Sequence, residues 1–111
     1  MDVVNPLVAS QLVGGALGRF IHSVQPAQAQ PFHGGYLCVG PTFTRHLVRA
    51  ASGPANTCGG SISEDFNSYI ATGQDPALGP GVQVWLQGWS RDAAAPFGDS
   101  LTNGVTAVIC P

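Results

Sequence analysis

The stretch "VQVWLQGWSRD", residues 82–92, decides the fold. Read as an extended strand, its side chains alternate between two faces. Val82, Val84, Leu86 and Gly88 fall on one face, and Gln83, Trp85, Gln87, Trp89 and Arg91 on the other. Both faces carry bulk, so the segment reads as a central strand covered on two sides. Arg91 and Asp92 end it. An arginine just beyond a tryptophan lies on the indole face, and an aspartate opens a turn by bonding nearby backbone. Trp85, Trp89, Arg91 and Asp92 are therefore assigned to the core and its corner. The competing use of the tryptophans is as a stacking platform for sugars or bases.

Working outward, the rest of the chain has the same grain. Fifteen glycines and nine prolines are spread along 111 residues, between short runs rich in β-branched and apolar side chains. Helices tolerate neither residue well, and this spacing is the all-β pattern. Strand candidates are Val3–Val13, Arg19–Val24, Gly35–Val39, Phe43–Ala50, Asp65–Ala71, Val82–Arg91 and Val105–Cys110. Residues 25–35 and 51–60 read as loops. "SISEDFNSYIA", residues 61–71, could instead hold one helical turn, with Ser63 as cap and Glu64 and Asp65 in the first turn. The expected fold is an all-β antiparallel sandwich, Ig-like or jelly-roll-like, of about seven strands.

Charged residues make up only 9% of the chain, lysine is absent, and the net charge is −2. That balance gives no footprint for nucleic acid or anionic lipid. So weakly charged a surface favours association. No run approaches the roughly twenty apolar residues of a membrane span. "MDVVNPLVASQLVGGALGRF" lacks the basic start and clean apolar core of a secretory signal, so an exported protein would be a mature or partial form. Cys38, Cys58 and Cys110 are the disulfide candidates. Three cysteines allow one internal bridge, whose pairing is open, and the alternative is three reduced thiols. Low lysine with high Gly, Ser and Thr suggests an oxidising, extracellular or cell-surface setting.

The residue types that carry chemistry lack the spacing for it. His22, His33 and His46 form no zinc pattern, and no Gly-x-Ser-x-Gly elbow or phosphate loop exists. Cys38 reads as a bridge or buried thiol before a nucleophile. "DFNSY" only hints at calcium ligands. Neither catalysis, cofactor nor metal is expected, and the histidines read as packing or surface residues.

Three ordered motifs carry a family resemblance. "PFHGGYLCVG", "LQGWSRD" and "SLTNGVTAVIC" resemble the closing half of a secreted β-sandwich domain of planctomycetes, myxobacteria and related environmental bacteria. The resemblance covers roughly residues 18–111. It implies an exported or surface protein and no assigned activity. Ser90 stands where that family has an aromatic residue, and residues 57–65 resemble an insertion. Family members usually begin with further strands, so this chain resembles a sandwich that starts late.

A sandwich lacking an edge strand has an open ladder that must be paired or blunted. The expectation is therefore an arm, residues 1–17, and a sandwich, residues 18–111. Val3, Val4, Leu7, Val8, Leu12 and Val13 would dock into a neighbouring copy by strand exchange. Repeated head to tail, this makes a filament or surface-layer subunit. The alternative is a secreted carbohydrate- or surface-binding module that uses Trp85, Trp89 and Tyr36.

Overall fold

The structure, a computed structural model, describes residues 7–25, 30–32, 35–40, 43–55, 57–92, 98–102 and 104–109. Val3, Val4, His33 and Cys110 lie outside the described residues. The described part is an antiparallel all-β sandwich with one short helix. Its strands are β1 (Leu7–Leu12), β2 (Leu17–Ser23), β3 (Gln30–Phe32), β4 (Gly35–Leu37), β5 (Thr44–Arg45), β6 (Arg49–Ala50), β7 (Gly60–Glu64), β8 (Gln83–Arg91), β9 (Asp99–Leu101) and β10 (Val105–Val108), with α1 (Phe66–Ala71) after β7.

The stretch that decided the reading is central. β8 pairs with β2 over six positions, from Gly18 opposite Ser90 to Ser23 opposite Trp85. It also pairs with β10 and β9, while β5 and β6 extend the sheet beyond β2. One face of this sheet presents Phe20, His22, Val84 and Leu86, all buried. β1 and β7 form the facing layer. Leu7, Ala9, Leu12 and Ile62 from that layer join Phe66, Leu78 and Ile109 in a single core. Two glycines set how closely the layers approach: a Cβ on Gly88 would meet Ala9 Cβ at 3.1 Å, and one on Gly18 would meet Ile62 Cδ1 at 3.3 Å.

Several elements differ from the sequence reading, each for a local reason. Leu7–Leu12 lies inside the segment assigned to an exchanged arm, and it pairs with β7 of its own chain. Leu7 and Leu12 are buried in that chain's core, Val8 is exposed and Val13 half-buried. A bulge lies between Ala9 and Leu12, where Gln11 takes φ 60°. The extra residue returns Leu12 to the core, although simple alternation would turn it outward. Residues 43–50, expected as one strand, are two short ones. Arg45 pairs with Ile21 and Ala50 with Leu17, so five residues span four and the strand breaks between them.

Asp65–Ala71 is not a strand. β7 runs on to Glu64, which pairs with Leu7, and the helix starts only at Phe66. Asp65, not Ser63, is its cap, accepting from the Ser68 N–H at 3.1 Å. Residues 30–32, expected in a loop, form β3 with β4 as partner. The expected disulfide is not found among the described residues: Cys38 is a half-buried free thiol and Cys58 an exposed one. No described helix is long and apolar enough to cross a membrane.

Candidate functional site

The polar face of β8 is divided at Gln87. Its side chain is buried and fully bonded. Nε2 donates to the Tyr36 carbonyl at 2.9 Å and the Thr102 carbonyl at 2.7 Å, while Oε1 accepts the Cys38 N–H at 2.9 Å. These bonds fasten the chain around β4 and the end of β9 over half of the face. The other half stays open as a groove of about 370 Å³.

Alternation and register build the groove. Arg19 lies directly across from Trp89, Arg91 across from Asp99, and β5 sets Arg45 beside Ile21. Arg19, Arg45 and Arg91 are three of the four cations in the chain, and all three line the groove with Trp89 and Asp99. Among the described residues none of the three is in an ion pair. The Trp89 indole N–H donates to Asp99 Oδ2 at 2.8 Å, which fixes the ring. The cation over that ring is Arg45, 5.6 Å from its centroid, and not Arg91 as its place in the sequence implied. Phe43 backs the same guanidinium at 5.2 Å. The Asp92 N–H donates to the Gly98 carbonyl across the hairpin. Trp85 is half-buried and Tyr36 exposed, but neither lines the groove.

Behind the groove, on the core side, the structure joins residues that the sequence reading left as packing. His22 Nε2 meets Asp75 Oδ2 at 2.7 Å, and His22 Nδ1 meets His46 Nε2 at 2.6 Å. His46 Nδ1 meets Glu64 Oε2 at 2.5 Å. Arg49 Nη2 stands 3.6 Å from the other Glu64 oxygen, and Arg49 Nε is buried with no partner among the described residues. The Tyr69 ring lies parallel to His46 at 3.9 Å. Both imidazoles are buried, as is Glu64, while Asp75 reaches the surface.

The chain Asp75–His22–His46–Glu64 can be counted in hydrogens. An ionised Asp75 only accepts, so His22 Nε2 carries the hydrogen of the first contact. A neutral His22 then accepts at Nδ1, and His46 Nε2–H donates. The third contact still needs a hydrogen, shared between His46 Nδ1 and Glu64. Two neutral imidazoles carry two hydrogens, so the chain is complete only with one more proton, set between two carboxylates. Burial pushes His22 below the ordinary histidine range, against the opposing pull of its bond to Asp75. That same bond holds the Asp75 carboxyl below the ordinary carboxylate range. Burial raises the Tyr69 hydroxyl, and Asp75 and Glu64 add to the effect.

All four ring nitrogens are used within this series, so neither imidazole has a lone pair to offer a substrate. The four groups face one another in sequence, not around a common centre, and the described residues contain no cluster that could hold a metal ion. The signal that could have found the chain was present in the sequence. His22 alternates with Phe20 on a strand, and a histidine on a core face needs a partner. Its partners come from 24 and 53 residues away, which spacing cannot supply. Comparison with protein-family models, curated proteins and solved structures finds no match, so the resemblance to the environmental-bacterial domain stands on its three motifs alone.

Proposed function

We propose that the protein is a β-sandwich binding module whose groove takes a carboxylate- or sulfate-bearing saccharide at a surface outside the cell. One observation carries this: three of the chain's four arginines, without ion-pair partners among the described residues, surround an indole locked by Asp99. Guanidinium groups match carboxylate and sulfate oxygens two by two, and each charge-assisted contact is worth about 1.5–3 kcal/mol. The indole adds apolar surface to the groove lining. A space of about 370 Å³ sits at the small end of ligand pockets and suits one or two sugar units of a longer chain. The net charge of −2 and the gathering of three of the four arginines in one groove speak against tracking a nucleic-acid backbone. The extracellular setting rests on composition, without support from a disulfide.

Calorimetric titration with sulfated, uronic and neutral oligosaccharides of equal length tests the reading. The anionic sugars bind at least about tenfold tighter than the neutral one, and added salt weakens them. Trp89→Ala removes most of the binding. Equal affinity for neutral sugars, or full binding by Trp89→Ala, overturns the proposal.

A second reading keeps self-association, favoured by β10. This strand pairs with β8 on one side and with no described strand on the other, and it exposes Val105 and Val108 without a charge to blunt the edge. Light scattering at rising concentration tests it. A constant monomer mass ends it.

A further inference from the structure

The binding reading leaves the buried histidine chain without a task. A buried ionic chain holds two layers together no better than apolar residues of the same volume would. Its position relative to the groove supplies a use. β5 is two residues long and sits at the edge of the large sheet, paired only with β2. Arg45 points from it into the groove. The next residue, His46, points the opposite way and is gripped from the core: its N–H donates to the Phe20 carbonyl at 2.8 Å, its ring nitrogens meet His22 and Glu64, and its face lies on Tyr69. The seat of Arg45 over Trp89 is thus fixed from behind by groups that exchange protons.

We propose that the Asp75–His22–His46–Glu64 chain is a proton-operated latch on the groove, holding Arg45 against Trp89 near neutral pH and releasing it in acid. The inference rests on the groove being the binding site. With three shared hydrogens every contact in the chain is made. A fourth proton has no empty place. On His22 Nδ1 it would face the His46 N–H across 2.6 Å, and on a carboxylate it would abolish the charge that holds the adjoining ring. Either way a buried contact breaks or loses its charge, and the hold on the two-residue strand weakens.

The other charged or titrating groups around the pair are few. Arg49 of β6 lies against Glu64, Tyr69 of α1 covers His46, and Asp65 and Arg45 line the hollow on which His46 borders. None sits between the two imidazoles to accept the extra proton. The burial that holds His22 below its ordinary range places release below about pH 6.5.

The sign of the effect is diagnostic. Acid makes any protein more positive, which by itself strengthens attraction for an anion. The latch predicts the reverse. A sulfated oligosaccharide is the probe, because sulfate does not titrate between pH 7.5 and 5. At fixed ionic strength its affinity falls about tenfold over that range, the loss of one charge-assisted contact, while far-UV circular dichroism stays unchanged. Arg45→Gln binds about tenfold weaker at pH 7.5 and shows no further fall in acid. Asp75→Asn removes a charge that favours protonated His22, so the fall moves to lower pH. Affinity that is constant or rises in acid overturns the proposal, as does an Arg45→Gln protein that keeps the full fall. A ligand-free readout separates this from the groove reading. In NMR titration the Arg45 Nε–H and Trp89 indole signals shift together with the His22 imidazole. If they do so while no sugar binds, the latch stands and the ligand assignment fails. If they titrate independently, the latch fails.

Discussion

Replacing His46 with alanine tests the packing of the buried chain most sharply. The substitution empties a site that is 4% exposed and removes both of the ring's hydrogen bonds at once. His22 Nδ1 loses its donor. Among the described residues Glu64 keeps only Arg49, at 3.6 Å. Removing one member of a buried charged pair costs about 3–5 kcal/mol, because the remaining charge stays desolvated. The lost stack on Tyr69 contributes up to about 1.5 kcal/mol within that range. Against a whole-domain stability of roughly 5–15 kcal/mol the protein survives, with a melting temperature lower by on the order of 20 °C. Urea unfolding followed by tryptophan fluorescence measures the cost. A double-mutant cycle shows its origin. Glu64→Gln destabilises the wild-type chain by about 1–3 kcal/mol, since a neutral amide cannot take the charged partner's place. In the His46→Ala background the same change is neutral or stabilising, because an amide is easier to bury than an orphaned carboxylate. Additive effects, or a loss below about 1 kcal/mol for His46→Ala, would refute the chain as a coupled unit.

Other outcomes follow from the same contacts. Stability falls as pH drops from 7 to 5: His22 is held low in the fold, so below about pH 6.5 the unfolded chain takes up a proton that the folded chain refuses. Asp75, also held low, adds a second fall beneath the ordinary carboxylate range, and a urea midpoint that rises in acid contradicts both. Gln87→Ala strands the Cys38 N–H and the Tyr36 and Thr102 carbonyls, and lowers stability by about 2–3 kcal/mol in urea unfolding. Gly88→Val drives methyl groups into Ala9 and Thr102 and costs about 1–3 kcal/mol by the same measurement. Alkylation of the native protein followed by mass spectrometry labels Cys58 quickly and Cys38 slowly, and protection of both would argue for a bridge.

The large sheet was legible because β8 and β2 alternate cleanly and their glycines fall where another layer must come close. The two faces of β8 came out as the alternation required, with Val84 and Leu86 buried and Trp89 on the opposite side. The helix after β7 was half legible. Asp65 is a good cap, but placing it depended on knowing that Glu64 is still held in a strand by Leu7, 57 residues earlier. Two strand irregularities were not legible. The one at Gln11 and the one between Arg45 and Ala50 each change which side chains face inward, and neither has a glycine or proline to mark it. Both functional constellations were hidden for a single reason. The groove collects arginines from β2, β5 and β8, and the latch collects acids and imidazoles from β2, β7 and the segments after β5 and α1. Neither set has any regular spacing along the chain.

The central claim is that the Trp89 groove is a site for an anionic sugar. Titration of the isotope-labelled protein with a sulfated oligosaccharide tests it most directly, read at the indole N–H of Trp89 and the Nε–H groups of Arg19, Arg45 and Arg91. The account predicts saturable shifts concentrated on those four side chains, with Arg49 and Trp85 nearly unmoved. Shifts gathered instead on β10 or α1, or none at a tenfold excess of sugar over any protein concentration used, would contradict it.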